Sequence, residues 1–210
     1  MKRFILFISI IVFLGFSGLA SGLAQSQEFQ SQQPPAAKDE KLSPEPGPFG
    51  RALVIYYSAT GKTGKVAAEI QAQVKGDLFK IEAVEELPKE EKAIIDLVKP
   101  YWENDTVMPI KSQTPDFSGY DVVFVGGPVW FGEPSFPLAT FIKDADFKGH
   151  KVIPFGTSGS NYGRALEILN KSFKNAVVVP GAKIFDRLTL ESEDLNVLIE
   201  KWLSTLTVGP

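Results

Sequence analysis

The chain has 210 residues, 44% of them apolar and 22% charged, with a formal charge of −3 and no cysteine. This suits one sizeable globular domain and argues against non-specific nucleic-acid binding. It excludes disulfides, thiolate catalysis, cysteine-ligated zinc and iron–sulfur clusters, and the single histidine, His150, offers no second imidazole for a metal site.

The first element is not part of the fold. Lys2 and Arg3 precede an almost purely apolar run from Phe4 to Phe16, and small residues follow, ending in SGLAQ. This is the pattern of a secretory signal over residues 1–24, cleaved after Ala24. The alternative is an uncleaved membrane anchor, since the apolar stretch approaches the ~18 residues of a spanning helix. Both place the protein outside the cytoplasm, periplasmic or secreted, and any membrane contact is expected through this segment alone. Residues 25–50 are rich in Gln, Ser, Pro and charge and read as a linker, because such a composition buries too little apolar surface to offset its ordering entropy. The folded domain is expected over 51–210.

There, strand-like and helix-like runs alternate. RALVIYYS is a continuous apolar run, suited to a strand buried on both faces. A helix follows over 62–75, with Val66, Ala67, Ile70 and Val74 on one face and Gly76 as its stop. DLFKIEAV is a short second strand. The helix over 90–103 turns Ile94, Ile95, Val98 and Trp102 to one side, which places Trp102 in the core. YDVVFVGG is another buried strand, and 137–144 a helix. HKVIPFGT is the next strand, where Pro154 lacks a ladder donor and points to an edge or a bulge. A helix over 164–173 and a closing strand, AVVVPGAKIF, precede the last helix. Its Leu195, Leu198, Ile199 and Trp202 keep a helical period behind a Ser192 cap. Strands separated by helices mean βαβ units and a mostly parallel sheet covered on both faces.

In such sheets ligands sit beyond the carboxyl ends of the strands. Three loops leave there, 58–63, 126–135 and 156–163, rich in Gly, Ser and Thr or in aromatics. The GKT of the first is not a Walker A motif, because the spacing requires glycine where Tyr56 stands. A monophosphate needs less. The hydroxyls of Ser58, Thr60 and Thr63, with the amides opening the helix, suit one phosphate dianion; alternatively the turn merely caps the helix. In the second loop Trp130 and Phe131 either cover a flat ring or, for Trp130, pack beneath their own loop. The third, GTSGSNYG, offers small residues to a ring edge and Tyr162 as a second stacking partner. No side-chain constellation for acid–base catalysis and no metal-ligand cluster is evident.

The segments SATGKT, DVVFVGGPVWFGEPSFPLATFI and VIPFGTSGSNYGRALEIL together resemble the flavodoxin-like family over nearly the whole folded part. The resemblance implies an α/β, doubly wound five-stranded parallel sheet in the order 2-1-3-4-5, with FMN bound non-covalently. It implies that Ser58, Ala59, Thr60, Gly61, Lys62 and Thr63 hold the phosphate. Pro128, Val129, Trp130, Phe131 and Gly132 then flank the isoalloxazine, and Thr157, Ser158, Gly159, Tyr162 and Gly163 line its other edge. Lys62 stands where the family often has asparagine, either adding a point charge to phosphate binding or facing solvent. The implied function is electron transfer through the flavin to a redox partner protein or a small-molecule acceptor. An FMN-dependent quinone reductase and a non-catalytic binding domain are the alternatives.

Overall fold

The computed structural model describes residues 46–159 and 162–208. The expected signal and nearly all of the expected linker lie outside the described residues, as do Ser160 and Asn161. Residues 46–50 are drawn into the domain: Gly47 and Gly50 exchange backbone hydrogen bonds, and Phe49 packs edge-on to Phe124. Among the described residues no helix is long and apolar enough to cross a membrane.

The elements run β1 (Ala52–Tyr56), α1 (Lys62–Val74), β2 (Asp77–Lys80), α2 (Glu91–Glu103), β3 (Val122–Trp130), β4 (Glu133–Pro134), α3 (Phe136–Asp144), β5 (Lys151–Ser158), α4 (Ala165–Lys171), β6 (Val177–Val178), β7 (Lys183–Asp186), α5 (Arg187–Ser192) and α6 (Leu195–Ser204). The sheet order is β2-β1-β3-β5, with β6 and β7 both paired to β5 and β4 folded back on β3. All pairings but β3–β4 are parallel. With β6 and β7 sharing the last position, this is the expected 2-1-3-4-5 doubly wound arrangement.

Period-two alternation sends the strand side chains to two cores. Leu53, Ile55, Val123 and Val125 meet Ile94 and Val98 of α2, Leu138 and Phe141 of α3 and Leu169 of α4. Ala52, Val54, Val122, Phe124, Ile153 and Phe155 meet α1 and α6 on the opposite face. Both faces are thus covered, which is why the strands read as unbroken apolar runs.

Several boundaries differ from expectation, each for a local reason. The closing strand is split at Pro180 and Gly181, where a missing donor and a φ of 118° break the ladder. That break also accommodates Pro154, which lies in the sheet interior and not at an edge or bulge. The Val152 carbonyl accepts from the Val179 amide, so Pro154, two residues on, turns its missing donor to the same side, between the stretches paired to β6 and β7. Helix α1 ends at Lys75 in the left-handed conformation, not at Gly76. Gly76 lies so close to the Ala52 carbonyl that a Cβ there would be 2.5 Å from its oxygen. The cap of α6 is Asp194, whose carboxylate accepts from the amides of Asn196 and Val197; Ser192 instead ends α5. His150 is structural: its Nδ1 donates to the Phe147 carbonyl at 2.7 Å and its ring tilts against Phe117.

Candidate functional site

The carboxyl ends of β1, β3 and β5 open on one cavity of about 610 Å3. From the β1–α1 turn it takes Ala59, Thr60, Lys62 and Thr63, from the β3 exit Pro128 to Gly132, and from the end of β5 Thr157, Ser158 and Gly159. The three turns singled out in the sequence therefore converge. Ser58, Gly61, Tyr162 and Gly163 are not among its lining residues.

The β1–α1 turn is organised by Ser58. Its Oγ accepts from the amides of Gly61 and Gly64, both at 3.1 Å, so this hydroxyl closes the loop from within. Gly61 has a φ of 88° at the N-cap, a conformation that glycine adopts without steric cost. The amides of Lys62 and Thr63 open the helix and have no partner among the described residues, and the first turn of α1 carries no acidic side chain. Thr63 and Thr157 place their hydroxyl oxygens 2.8 Å apart in a buried contact that ties the turn to β5. Only one of the two hydroxyl hydrogens can lie between them, which leaves the other free to donate elsewhere. Lys62 reaches Glu91 of α2 at 3.7 Å, with both side chains more than half exposed. A pair so exposed contributes about 0–1 kcal/mol, so Lys62 can exchange partners at little cost.

The β3 exit is a hairpin rather than a loop. Residues 126–130 continue β3, and Trp130 pairs with Glu133 across a two-residue turn. Phe131 and Gly132 have φ of 50° and 77°, as the turn that matches strand twist requires. Gly126 and Gly127 lie within β3, where added Cβ atoms would meet Phe155 at 2.6 Å and Leu138 at 2.9 Å. Trp130 is 8% exposed and packs largely beneath its hairpin, edge-on to Tyr57 with ring centres 5.9 Å apart. The more open aromatic is Phe131, half-buried, and its ring stacks on Trp102 at 5.0 Å and 17°. Trp102 is 48% exposed and not in the core. The period that carries Ile94 and Val98 inward brings Trp102 to the rim, where Phe131 is its apolar surface. Trp202, in contrast, is 6% exposed and belongs to the core as expected.

The hairpin is held against the β5–α4 loop by main chain. The Arg164 amide donates to the Gly132 carbonyl at 2.8 Å, and Gly163, with a φ of 47°, lies directly against Gly132. Gly163 thus belongs to the clamp around the cavity, and Tyr162 is exposed beside it. Sequence reasoning missed Glu91, Ile94 and Ile95 on α2 and Lys65, Arg187, Leu190, Glu191 and Leu195 on the opposite side, all of which line the cavity. Only Asp186 signalled α5: its carboxylate accepts from the amide and hydroxyl of Thr189, an N-cap at cap spacing.

Burial pushes the Tyr57 phenol up from 10.0 to about 12. The neutral form is the one the fold favours, so its contribution is complete below the unfolded value of 10.0 and is lost as pH rises towards 12. Urea unfolding midpoints should fall between pH 10 and 12 more steeply for the native chain than for Tyr57→Phe; equal slopes would refute this coupling.

The family model described as Flavodoxin matches residues 51–205. A candidate flavoprotein of Bacteroides eggerthii is 29% identical, with a TM-score of 0.57 over 76% of this chain and 99% of its own. A flavoprotein of Lactobacillus acidophilus, solved in complex with FMN, is 22% identical, with a TM-score of 0.56 over 67% of this chain and 96% of its own. A candidate flavoprotein of Bacteroides uniformis is also 22% identical, with a TM-score of 0.56 over 74% of this chain and 99% of its own. At that identity the last two speak to the fold alone. No curated protein matches the chain.

Proposed function

The chain belongs to the flavodoxin family, and on that premise we propose that it is an exported FMN-binding redox protein, passing electrons through a bound flavin to a partner protein or a small-molecule acceptor. The observation that carries this reading is the phosphate turn. The two amides at the start of α1 have no acceptor among the described residues, and the Thr63–Thr157 hydroxyl pair, which uses only one of its two O–H hydrogens internally, lines the same cavity. That donor set fits a phosphate dianion, which the positive end of the helix also favours.

The rest of the cavity fits the remainder of the cofactor. Phe131 and Trp130 give an apolar wall for a flat ring, and the small residues Ser158 and Gly159 let main chain approach its polar edge. When bound, the flavin supplies one- or two-electron redox chemistry. The protein's part is to hold the phosphate, orient the ring between the β3 hairpin and the end of β5, and keep water from its buried face. Trp102 backs Phe131 from outside and so steadies the wall. Export is supported by the charged and apolar residues at the start of the sequence.

The test is spectroscopic. The full chain, produced with riboflavin supplied, should purify yellow, and its flavin absorption should bleach on reductive titration. Thr60→Ala together with Thr63→Ala should weaken FMN by roughly 10- to 100-fold. A folded protein that stays colourless after incubation with FMN would refute the proposal. Turnover with NADH or NADPH and quinones then separates a quinone reductase from an electron carrier.

A further inference from the structure

The end of the sheet brings a cation from outside the three turns to the phosphate turn. Parallel pairing sets Thr157 beside Phe185 and Ser158 beside Asp186. The Thr157 hydroxyl in turn touches that of Thr63 at 2.8 Å. The first residue beyond this ladder is Arg187, which opens α5 and lines the same cavity as Thr60, Lys62 and Thr63. Adjacent strands lie roughly 4.8 Å apart, so the register leaves Arg187 one strand away from the turn, within the span of a long side chain. Leu190, one turn further along α5, packs partly against the core that α1 and α6 share, which puts α5 on the α1 face of the sheet. The charge of Arg187 has no protein partner. Lys62, Lys92, Lys99 and Lys171 each pair with a carboxylate, whereas Arg187 has no ion pair among the described residues. Its two acidic neighbours on α5 do not neutralise it. Asp186 accepts from the amide and hydroxyl of Thr189, and Glu191, although on the cavity wall, lies outside ion-pair distance of it. The helix itself has room to adjust over a ligand, because none of its six residues is buried and Leu188 is 77% exposed.

Resting on the flavin-binding reading above, we propose that Arg187 is a ligand of the FMN phosphate and the residue that makes this protein select FMN over riboflavin. The donors of the β1–α1 turn are neutral amides and hydroxyls, and Lys62 is shared with Glu91. Arg187 adds an uncompensated charge from the far side of the cavity. Its planar guanidinium can give a phosphate dianion two parallel hydrogen bonds. Riboflavin, which lacks the phosphate, offers it nothing. An arginine that merely faces solvent would leave the two flavins indifferent to its removal.

The measurement is calorimetric titration of the flavin-free full chain with FMN and with riboflavin, at low and high salt, for the native sequence, Arg187→Ala and Arg187→Lys. Arg187→Ala should weaken FMN roughly tenfold and leave riboflavin within about twofold. It should also flatten the salt dependence of FMN binding, since one charge contact is gone. Arg187→Lys should recover part of the loss, because it keeps the charge without the paired geometry. Thermal melts should coincide, as the side chain is exposed and unpaired; if the alanine variant folds poorly, the lysine variant carries the same comparison. Unchanged FMN affinity would overturn the inference and return Arg187 to solvent. Equal weakening of FMN and riboflavin would also overturn it, since α5 would then support the wall without touching the phosphate. Both results leave the proposed function intact, whereas failure of the native chain to bind FMN would bring down that reading and this one together.

Discussion

Gly163→Val is expected to weaken FMN binding by roughly 10- to 100-fold while costing the fold only about 1–3 kcal/mol. A Cβ at this position would lie 2.7 Å from the Gly132 Cα and 2.8 Å from its carbonyl oxygen. Both atoms are main chain, so no side chain can swing aside to make room. The φ of 47° adds strain for a β-branched residue. The relief available is to separate the β5–α4 loop from the β3 hairpin, which breaks the Arg164-to-Gly132 hydrogen bond and shifts Phe131 away from the cavity. Trp130 anchors the base of the hairpin in one of the two cores, whereas Phe131 packs only partly against it and lines the cavity, so the displacement falls first on ligand affinity. Fluorescence titration with FMN beside a thermal melt separates the two effects. Unchanged affinity with a lowered melting temperature would mean that the clamp serves stability alone.

Phe124→Ala should produce the largest loss of stability, about 3–5 kcal/mol. The ring is fully buried in β3, edge-on to Phe49 at 5.9 Å and to Trp202 at 6.1 Å. Trp202 is itself fixed, because its indole N–H donates to the Gly181 carbonyl at 2.7 Å, and it cannot follow the vacated space freely. For a domain of ordinary stability the loss is a large fraction of the total. Urea unfolding measures it directly. Saturating FMN should recover part of the lost midpoint, because a ligand that binds only the folded state stabilises it by mass action. A loss below about 1 kcal/mol would show that Phe49 and Trp202 collapse into the gap.

The parts of this architecture that were legible in the sequence are those where one physical rule acts alone. β1 and β3 are buried on both faces and read as apolar runs, and α1 and α6 keep a helical stripe because each covers one face of the sheet. The turns after β1, β3 and β5 were recognisable because Gly, Ser and Thr at strand exits have few other uses. What stayed hidden depends on two elements at once. Pro154 is explained only by the interruption of the neighbouring strand, and Trp102 leaves the core only because Phe131 meets it at the rim. The Phe131–Gly132 turn carries glycine at just one of its two left-handed positions, so the hairpin signal was half present. Glu91, Ile94, Leu190 and Leu195 come from ordinary amphipathic helices, where only the tertiary arrangement distinguishes a lining residue from a core or surface one.

The interruption at Pro180 and Gly181 also governs how the protein behaves among its own copies. β6 and β7 border the sheet, with lengths of two and four residues. An unbroken strand there, beginning with three consecutive valines, would present a long open ladder to any neighbouring chain. Cut in two by a residue without an N–H, that margin is a poor template for intermolecular strand addition, and concentrated solutions should resist fibrillar aggregation through it.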